Sequence, residues 1–139
     1  MTELTVQAII ENIPRVTEFI DGQLEAVDCS IRSQMQIDVA IDELLANIAS
    51  YAYETGEGQV TVRFDFQPDN RTVALTFIDS GIPYDPLAKA DPDVSLSAEE
   101  RQIGGLGIFM VKKSMDDMQY RYENGKNILT IRKRLANQN

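Results

Sequence analysis

The sequence predicts an α+β fold, a two-layer sandwich with helices packed on one face of a mixed, mostly antiparallel sheet. Three observations predict it. Two amphipathic helical patterns stand together in the first third of the chain. The hydrophobic period then changes from 3.6 to 2 after a Gly-Glu-Gly break at 56–58, and the later strand patterns are joined by hairpin-type turns. With 139 residues, 43% of them hydrophobic and 25% charged, the chain is expected to form one domain over 1–139. That length buries a core without disulfides or structural metal.

Each element has its own warrant. Glu3-Leu4-Thr5-Val6-Gln7 alternates as a short strand, placed at a sheet edge. Asn12 is a candidate cap for a helix over about 13–27, with Pro14 in its first turn and Ile13, Val16, Phe19, Ile20 and Leu24 at helical spacing. Met35, Ile37, Ile41, Leu44, Leu45, Ile48 and Ala52 define a second helix, expected to begin near Ser33 and to stop before Gly56 and Gly58. Val60, Val62, Phe64 and Phe66 then alternate with Thr61, Arg63 and Asp65, and after a turn at Asp69-Asn70 the series Val73, Leu75, Phe77 forms the second strand of a hairpin. From Pro83 to Gly104 about twenty mostly polar residues make a lid or binding loop, with capping-box spacing at Ser97 and Glu100 for a short helix inside it. Gly104-Gly105-Leu106-Gly107 opens a helix carrying Ile108, Val111 and Met115. Strands at roughly 117–123 and 127–134 close the chain around Asn124-Gly125, a type I′ turn dipeptide.

Composition excludes several functions. The net charge of −9 argues against sequence-independent nucleic-acid binding and against an anionic membrane surface. A single cysteine, Cys29, forms no intramolecular disulfide, and without a signal-like N-terminus or a long apolar run the expected location is cytoplasmic. The chain has no histidine, which removes Ser-His-Asp catalysis, most zinc-enzyme ligand sets and a self-phosphorylated histidine. Residues 1–70 carry three basic and thirteen acidic side chains, whereas 71–139 carry ten basic and nine acidic, so an anion site is expected in the second half.

Three groups of residues could carry chemistry. Glu43 and Asn47, four apart, share a helix face beside Leu44 and Ile48. They could hold a divalent ion and polarise a nucleophile, or simply form an exposed i,i+4 pair. Alternation from Val73 through Phe77 puts the Asp79 carboxylate on the apolar face, where it needs a donor; a purine amino group would serve, and so would an Asp-Ser-Gly turn. Gly81 could let the backbone pass a flat ring. The glycines at 104, 105 and 107 could aim helix amides at phosphate oxygens, but they match neither a Walker A loop nor the dinucleotide fingerprint. Lys112 and Lys113 read as solvated, while Lys89 and Arg101 are lid cations that could reach a terminal phosphate.

Read in order, Glu43-x-x-x-Asn47, Asp79-x-Gly81, a long lid and Gly105-Leu106-Gly107 resemble the Bergerat-type ATP-binding domain shared by gyrase B, MutL and histidine kinases. The short chain most resembles the bacterial anti-sigma-factor serine/threonine kinases, with the segments 40–48 and 104–110 the nearest pieces. The resemblance implies ATP and Mg²⁺ as cofactors. It implies that Asn47 ligates the metal, that Asp79 receives the adenine amino group with Gly81 beside the base, and that Gly105 and Gly107 present amides to the phosphates. Glu43 would be the general base toward an attacking hydroxyl and Arg101 the lid arginine near the γ-phosphate. Two positions depart from the pattern: Tyr51 stands where many relatives have histidine, and Asn127 or Ile128 stands where a threonine is often found.

The implied function is a kinase that transfers the γ-phosphate to a serine or threonine of an antagonist protein and so controls sequestration of a sigma factor. A homodimer is implied by kinship, with no nucleic-acid or membrane partner. The alternative is a module that binds ATP without productive transfer and acts by sequestration alone.

Overall fold

The computed structural model describes residues 1–53, 57–88 and 105–135. Strand β1 (Thr2–Gln7) leads through a 3₁₀ turn at Ile10–Asn12 into α1 (Ile13–Ala26) and α2 (Ile31–Tyr51). Strands β2 (Gln59–Gln67) and β3 (Thr72–Asp79) follow, then α3 (Gly105–Ser114), β4 (Asp117–Glu123) and β5 (Lys126–Arg134). The sheet order is β1-β2-β3-β5-β4, and the expected mostly antiparallel sheet is antiparallel in all four of its pairings. Strand β3 pairs with β5 rather than with its chain neighbour β4. The last hairpin therefore inserts its second strand beside the first, and β1 and β4 become the edges.

The alternation read from the sequence decides which face is buried. Val60, Val62 and Phe64 on β2, Val73, Leu75 and Phe77 on β3, and Leu129 and Ile131 on β5 all lie within the core. They meet Val16, Ile20 and Leu24 of α1, Ile37, Ile41 and Leu44 of α2, and Ile108 and Val111 of α3. On the opposite face threonines pair across strands, Thr5 with Thr61 at 2.8 Å and Thr76 with Thr130 at 3.3 Å. Burying one face and wetting the other is the pattern of an antiparallel sheet covered on one side. Helix α2 packs against both α1 and α3 and is the centre of the helical layer.

Helix boundaries differ from the sequence reading for local reasons. Asn12 does not cap α1 with its side chain; its Nδ2 donates to the Gln7 carbonyl at 3.0 Å, and the 3₁₀ turn leads into the helix instead. Ser30 starts α2 earlier than expected because its hydroxyl accepts from the Ser33 amide at 3.2 Å. Asp28, at φ 57°, ends α1 in a left-handed cap: its amide donates to the Glu25 carbonyl and that of Cys29 to the Leu24 carbonyl. Met35 was assigned to the buried stripe but is 62% exposed, since the inward positions around it belong to Ser33 and Ile37. The Asn124-Gly125 turn has φ 54° and 75°, as a type I′ hairpin requires. The expected short helix at Ser97–Glu100 lies outside the described residues, as does most of the lid loop. Among the described residues no helix is long and apolar enough to cross a membrane.

Two features set the stability of the helical layer. Gly22 sits inside α1, and a Cβ built there meets nothing within 4 Å. Glycine in a helix interior is worse than alanine by about 0.5–1 kcal/mol. Gly22→Ala is therefore expected to raise the unfolding free energy by about that amount, read from urea denaturation.

The second feature is a carboxyl pair. Asp38 of α2 hydrogen-bonds to Asp21 of α1, and burial, reinforced by Asp21, pushes its pKa up to about 7. The Oδ1 atoms of both are buried without a partner among the described residues. An acid whose folded pKa lies above its unfolded value keeps a proton that the unfolded chain has lost. Stability therefore falls as pH rises from about 4 to about 7 and is level above that window. Asp38→Asn imitates the protonated form. Thermal unfolding should show the variant more stable than the parent above pH 7, and the difference should vanish near pH 4.

Candidate functional site

The C-terminal half of α2 and the end of β3 meet over a cleft. Leu44 and Phe77 supply its apolar floor, and Asn47, Tyr51, Asp79, Tyr84 and Asn127 supply polar and aromatic groups around it. The 3.6-residue period puts Asn47 one turn beyond Glu43 on the flank of the core stripe, so the helix that fills the core also brings an amide to the cleft. The Nδ2 of Asn47 is buried with no partner among the described residues. An unpaired buried amide costs about 1–3 kcal/mol, and polar groups left so in a concave site ask for a ligand.

Asp79 is 5% exposed at the last residue of β3. Its Oδ1 accepts from the Gly81 amide at 2.9 Å and from Asn127 Nδ2 at 2.9 Å. The first bond is the Asp-Ser-Gly turn and the second crosses to β5, where Asn127 stands directly opposite in the ladder. Among the described residues Oδ2 accepts no hydrogen bond, which leaves that oxygen as an acceptor for a group entering the cleft. The turn reading from the sequence is seen in the bond from Gly81, and both donors found among the described residues fall on Oδ1.

Tyr53 holds this end of the sheet in place. Its hydroxyl donates to the Gln59 carbonyl at 2.6 Å and accepts from the Ser80 amide at 2.9 Å, tying the exit of α2 to the start of β2 and the end of β3. The ring lies against Gly58, where any Cβ would collide with it. Tyr51 stacks on Tyr84 with centroids 5.6 Å apart and ring planes 26° apart, and this pair forms one wall of the cleft.

Gly81 has a different neighbour from the flat ring expected of it. A Cβ there would collide with the Ala52 carbonyl, which the Ile82 amide holds at 2.8 Å. The glycine is required by the close approach of β3's exit to the end of α2. At Gly107 a Cβ would enter the space of the Glu43 carboxylate, the movable end of a side chain, so the two groups are in close contact without the main-chain constraint seen at Gly81. Glu43 therefore lies against Gly107 in the first turn of α3. A carboxylate at a helix N-terminus is favourably placed toward the dipole, and the amides of that turn lack intrahelical partners.

Of the residues singled out from the sequence, the structure brings Asn47 and Asp79 to one cleft and Glu43 to Gly107. Gly105 starts α3. Lys89, Arg101 and Gly104 lie outside the described residues. The sequence reading missed the roles of Asn127, Tyr84, Tyr120 and Tyr53. For Asn127 a signal was available: Asn127, Leu129 and Ile131 alternate, so the same argument that buries Asp79 buries Asn127. It is 6% exposed. The tyrosines carry no comparable signal, because their partners come from distant segments.

The fold is an antiparallel sheet covered on one face by helices, with a cleft between α2 and the end of β3, and comparison with known proteins gives the family. The chain belongs to the histidine kinase-like ATPase domain family, which it matches over residues 6–133. It is similar to the serine/threonine-protein kinase BtrW of Bordetella bronchiseptica, 29% identical over 102 residues covering 73% of this chain and 71% of that protein. It is also similar to the serine-protein kinase RsbW of Listeria monocytogenes, 29% identical over 98 residues covering 67% of this chain and 61% of that protein. RsbW of Bacillus mycoides is 23% identical over 131 residues, covering 91% and 81%. The crystal structure of the RsbU and RsbW domains of Rv1364c from Mycobacterium tuberculosis shares the fold, with a TM-score of 0.66 at 17% identity, covering 99% of this chain and 34% of that one.

The packing at Gly81 gives a direct test. The Ala52 carbonyl is main chain and is already hydrogen-bonded, so it has little room to yield. Gly81→Ala should lower the unfolding free energy by about 1–3 kcal/mol in denaturant titration, with or without nucleotide.

Proposed function

We propose that this chain binds Mg-ATP in the cleft between α2 and β3 and transfers the γ-phosphate to a serine or threonine hydroxyl of an antagonist protein, thereby controlling sequestration of a sigma factor. The observation that carries the reading is the meeting of two groups in one cleft: the buried, unpartnered Nδ2 of Asn47 and the Asp79 carboxylate, whose hydrogen bonds among the described residues all fall on Oδ1. Asp79 Oδ2 accepts the exocyclic amine of adenine, and the apolar floor with the Tyr51–Tyr84 wall packs against the base. The unpaired Nδ2 fits an acceptor such as a phosphate oxygen, and the carbonyl oxygen of the same amide would hold the ion. When bound, Mg²⁺ neutralises phosphate charge and orients the chain of phosphates.

The remaining work falls to this chain's own residues. Glu43 is one helical turn from Asn47 and touches the first turn of α3, so it accepts the proton of an incoming hydroxyl at the phosphate end of the cleft. Gly105 and Gly107 supply amides there, and Arg101 is the proposed lid cation near the terminal phosphate. RsbW and BtrW, by their names, are serine and serine/threonine protein kinases, which supports a hydroxyl acceptor. The chain has no histidine to serve as an acceptor, and the acceptor in this reading is a hydroxyl of a partner protein. Phosphate added to that partner meets a chain of net charge −9, and the repulsion weakens the complex. A cytoplasmic homodimer of one domain per chain completes the reading.

The test is transfer from radiolabelled Mg-ATP to candidate antagonist proteins, followed by phosphoserine and phosphothreonine mapping. Glu43→Gln should keep ATP affinity within about threefold while transfer falls at least about a hundredfold. Asn47→Ala should lose the magnesium-dependent part of ATP binding in calorimetry. Normal transfer by Glu43→Gln would remove the base assignment. Tight ATP binding with transfer to no partner would favour the sequestration module instead.

A further inference from the structure

Asn127 uses its whole hydrogen-bonding capacity within the protein. A primary amide has two N–H donors and two acceptor lone pairs. Nδ2 donates to Asp79 Oδ1 at 2.9 Å and to the Ile82 carbonyl at 2.8 Å. Oδ1 accepts from the Tyr84 amide at 3.1 Å and from the Tyr120 hydroxyl. Two of these partners are main-chain groups with a single polarity: the Ile82 carbonyl can only accept and the Tyr84 N–H can only donate. Turning the amide over would set acceptor against acceptor and donor against donor, so chemistry alone assigns its orientation. Its NH₂ is committed to Asp79, and it has nothing left to offer a ligand.

Tyr120 completes the set from β4, the sheet's edge strand, outside the motifs that carry the family resemblance. Burial pushes its phenol pKa above the ordinary range, with Asp85, Asp79 and Tyr122 the titratable groups that reinforce the shift. The hydroxyl therefore remains a donor at neutral pH. The same amide also holds the Tyr84 backbone, and with it the ring that stacks on Tyr51.

We propose that Asn127, and Tyr120 acting through it, are positioning residues that set the choice of purine: they occupy Asp79 Oδ1, leave Oδ2 facing the base, and so select a 6-amino over a 6-oxo ring. The inference rests on the nucleotide reading above. A carboxylate accepts an amine and repels a keto oxygen. The donor bonded directly to Asp79 is the Asn127 NH₂, which could welcome a keto oxygen, and its bonds to Asp79 Oδ1 and the Ile82 carbonyl lock it away from the ligand. Loosening the lock frees a donor that a 6-oxo purine can use, at the expense of the orientation that a 6-amino purine needs.

Calorimetric titration of the full chain with Mg-ATP and with Mg-GTP tests this. Tyr120→Phe removes one hydrogen bond and no packing volume of consequence; the ATP-over-GTP preference should fall about tenfold, with the unfolding midpoint lowered by no more than the loss of a single hydrogen bond. Asn127→Asp keeps the size and places an acceptor against Asp79 Oδ1 and the Ile82 carbonyl. That variant must take up a proton to bind, so its ATP affinity should rise as pH falls from about 8 to about 6, where the parent's stays level. If Tyr120 were merely structural, Tyr120→Phe would weaken both nucleotides by one common factor. That result, or a parent-like pH profile for Asn127→Asp, overturns the proposal. A parent protein that binds neither nucleotide overturns instead the reading of the cleft.

Discussion

A carboxylate buried at the end of a central strand must be given donors, and meeting that requirement organises the whole cleft. Asp79 obtains one donor from its own turn at Gly81 and one across the sheet from Asn127. To aim its NH₂ that way, Asn127 needs acceptors for its other proton and donors for its oxygen, and those come from Ile82, Tyr84 and Tyr120. Three strands and the segment leaving β3 are thereby bound to one side chain. Burial of the carboxylate is costly in isolation and tolerable only with this set complete. The set also accounts for why one carboxylate oxygen remains for something else.

Helix α2 connects that polar group to the rest of the molecule. It contributes Ile37, Ile41 and Leu44 to the core, and one flank of the same helix carries Glu43 and Asn47. Because a helix repeats every 3.6 residues, side chains four apart cannot be repositioned without moving the apolar stripe that holds the helix down. The site thus takes its geometry from the most buried part of the fold. The close approaches around it follow from the same packing: Gly81 yields to the Ala52 carbonyl and Gly107 to the Glu43 carboxylate. Gly81, expected beside a ligand, is needed by the protein's own main chain, and the close contact at Gly107 sets Glu43 against the turn that starts α3.

Much of this was legible in the sequence because it depends on periodicity. The five strands and three helices that the structure describes were each expected, and the Asn124-Gly125 turn was assigned from chemistry that only a left-handed pair of residues satisfies. Glu43, Asn47 and Asp79 were singled out since polar groups on apolar faces are conspicuous at short range. Errors came where spacing is ambiguous. Met35 fits a helical stripe by count but falls outside the arc that α1 and the sheet cover, and Asn12 found a better partner in the Gln7 carbonyl than in the helix amides.

What the sequence by itself determined is the set of elements, their buried faces and the residue types able to handle phosphate and purine chemistry, because period and turn chemistry act between residues a few positions apart. What only the tertiary structure decided is which of those residues meet. Inserting β5 between β3 and β4 sets Asn127 opposite Asp79, and with that pairing come the Tyr120 hydroxyl and the Tyr84 amide. Strand order is chosen by how complete sheet faces pack under the helices. No local pattern encodes that choice, and the groups it brings together are 48 residues apart in the chain.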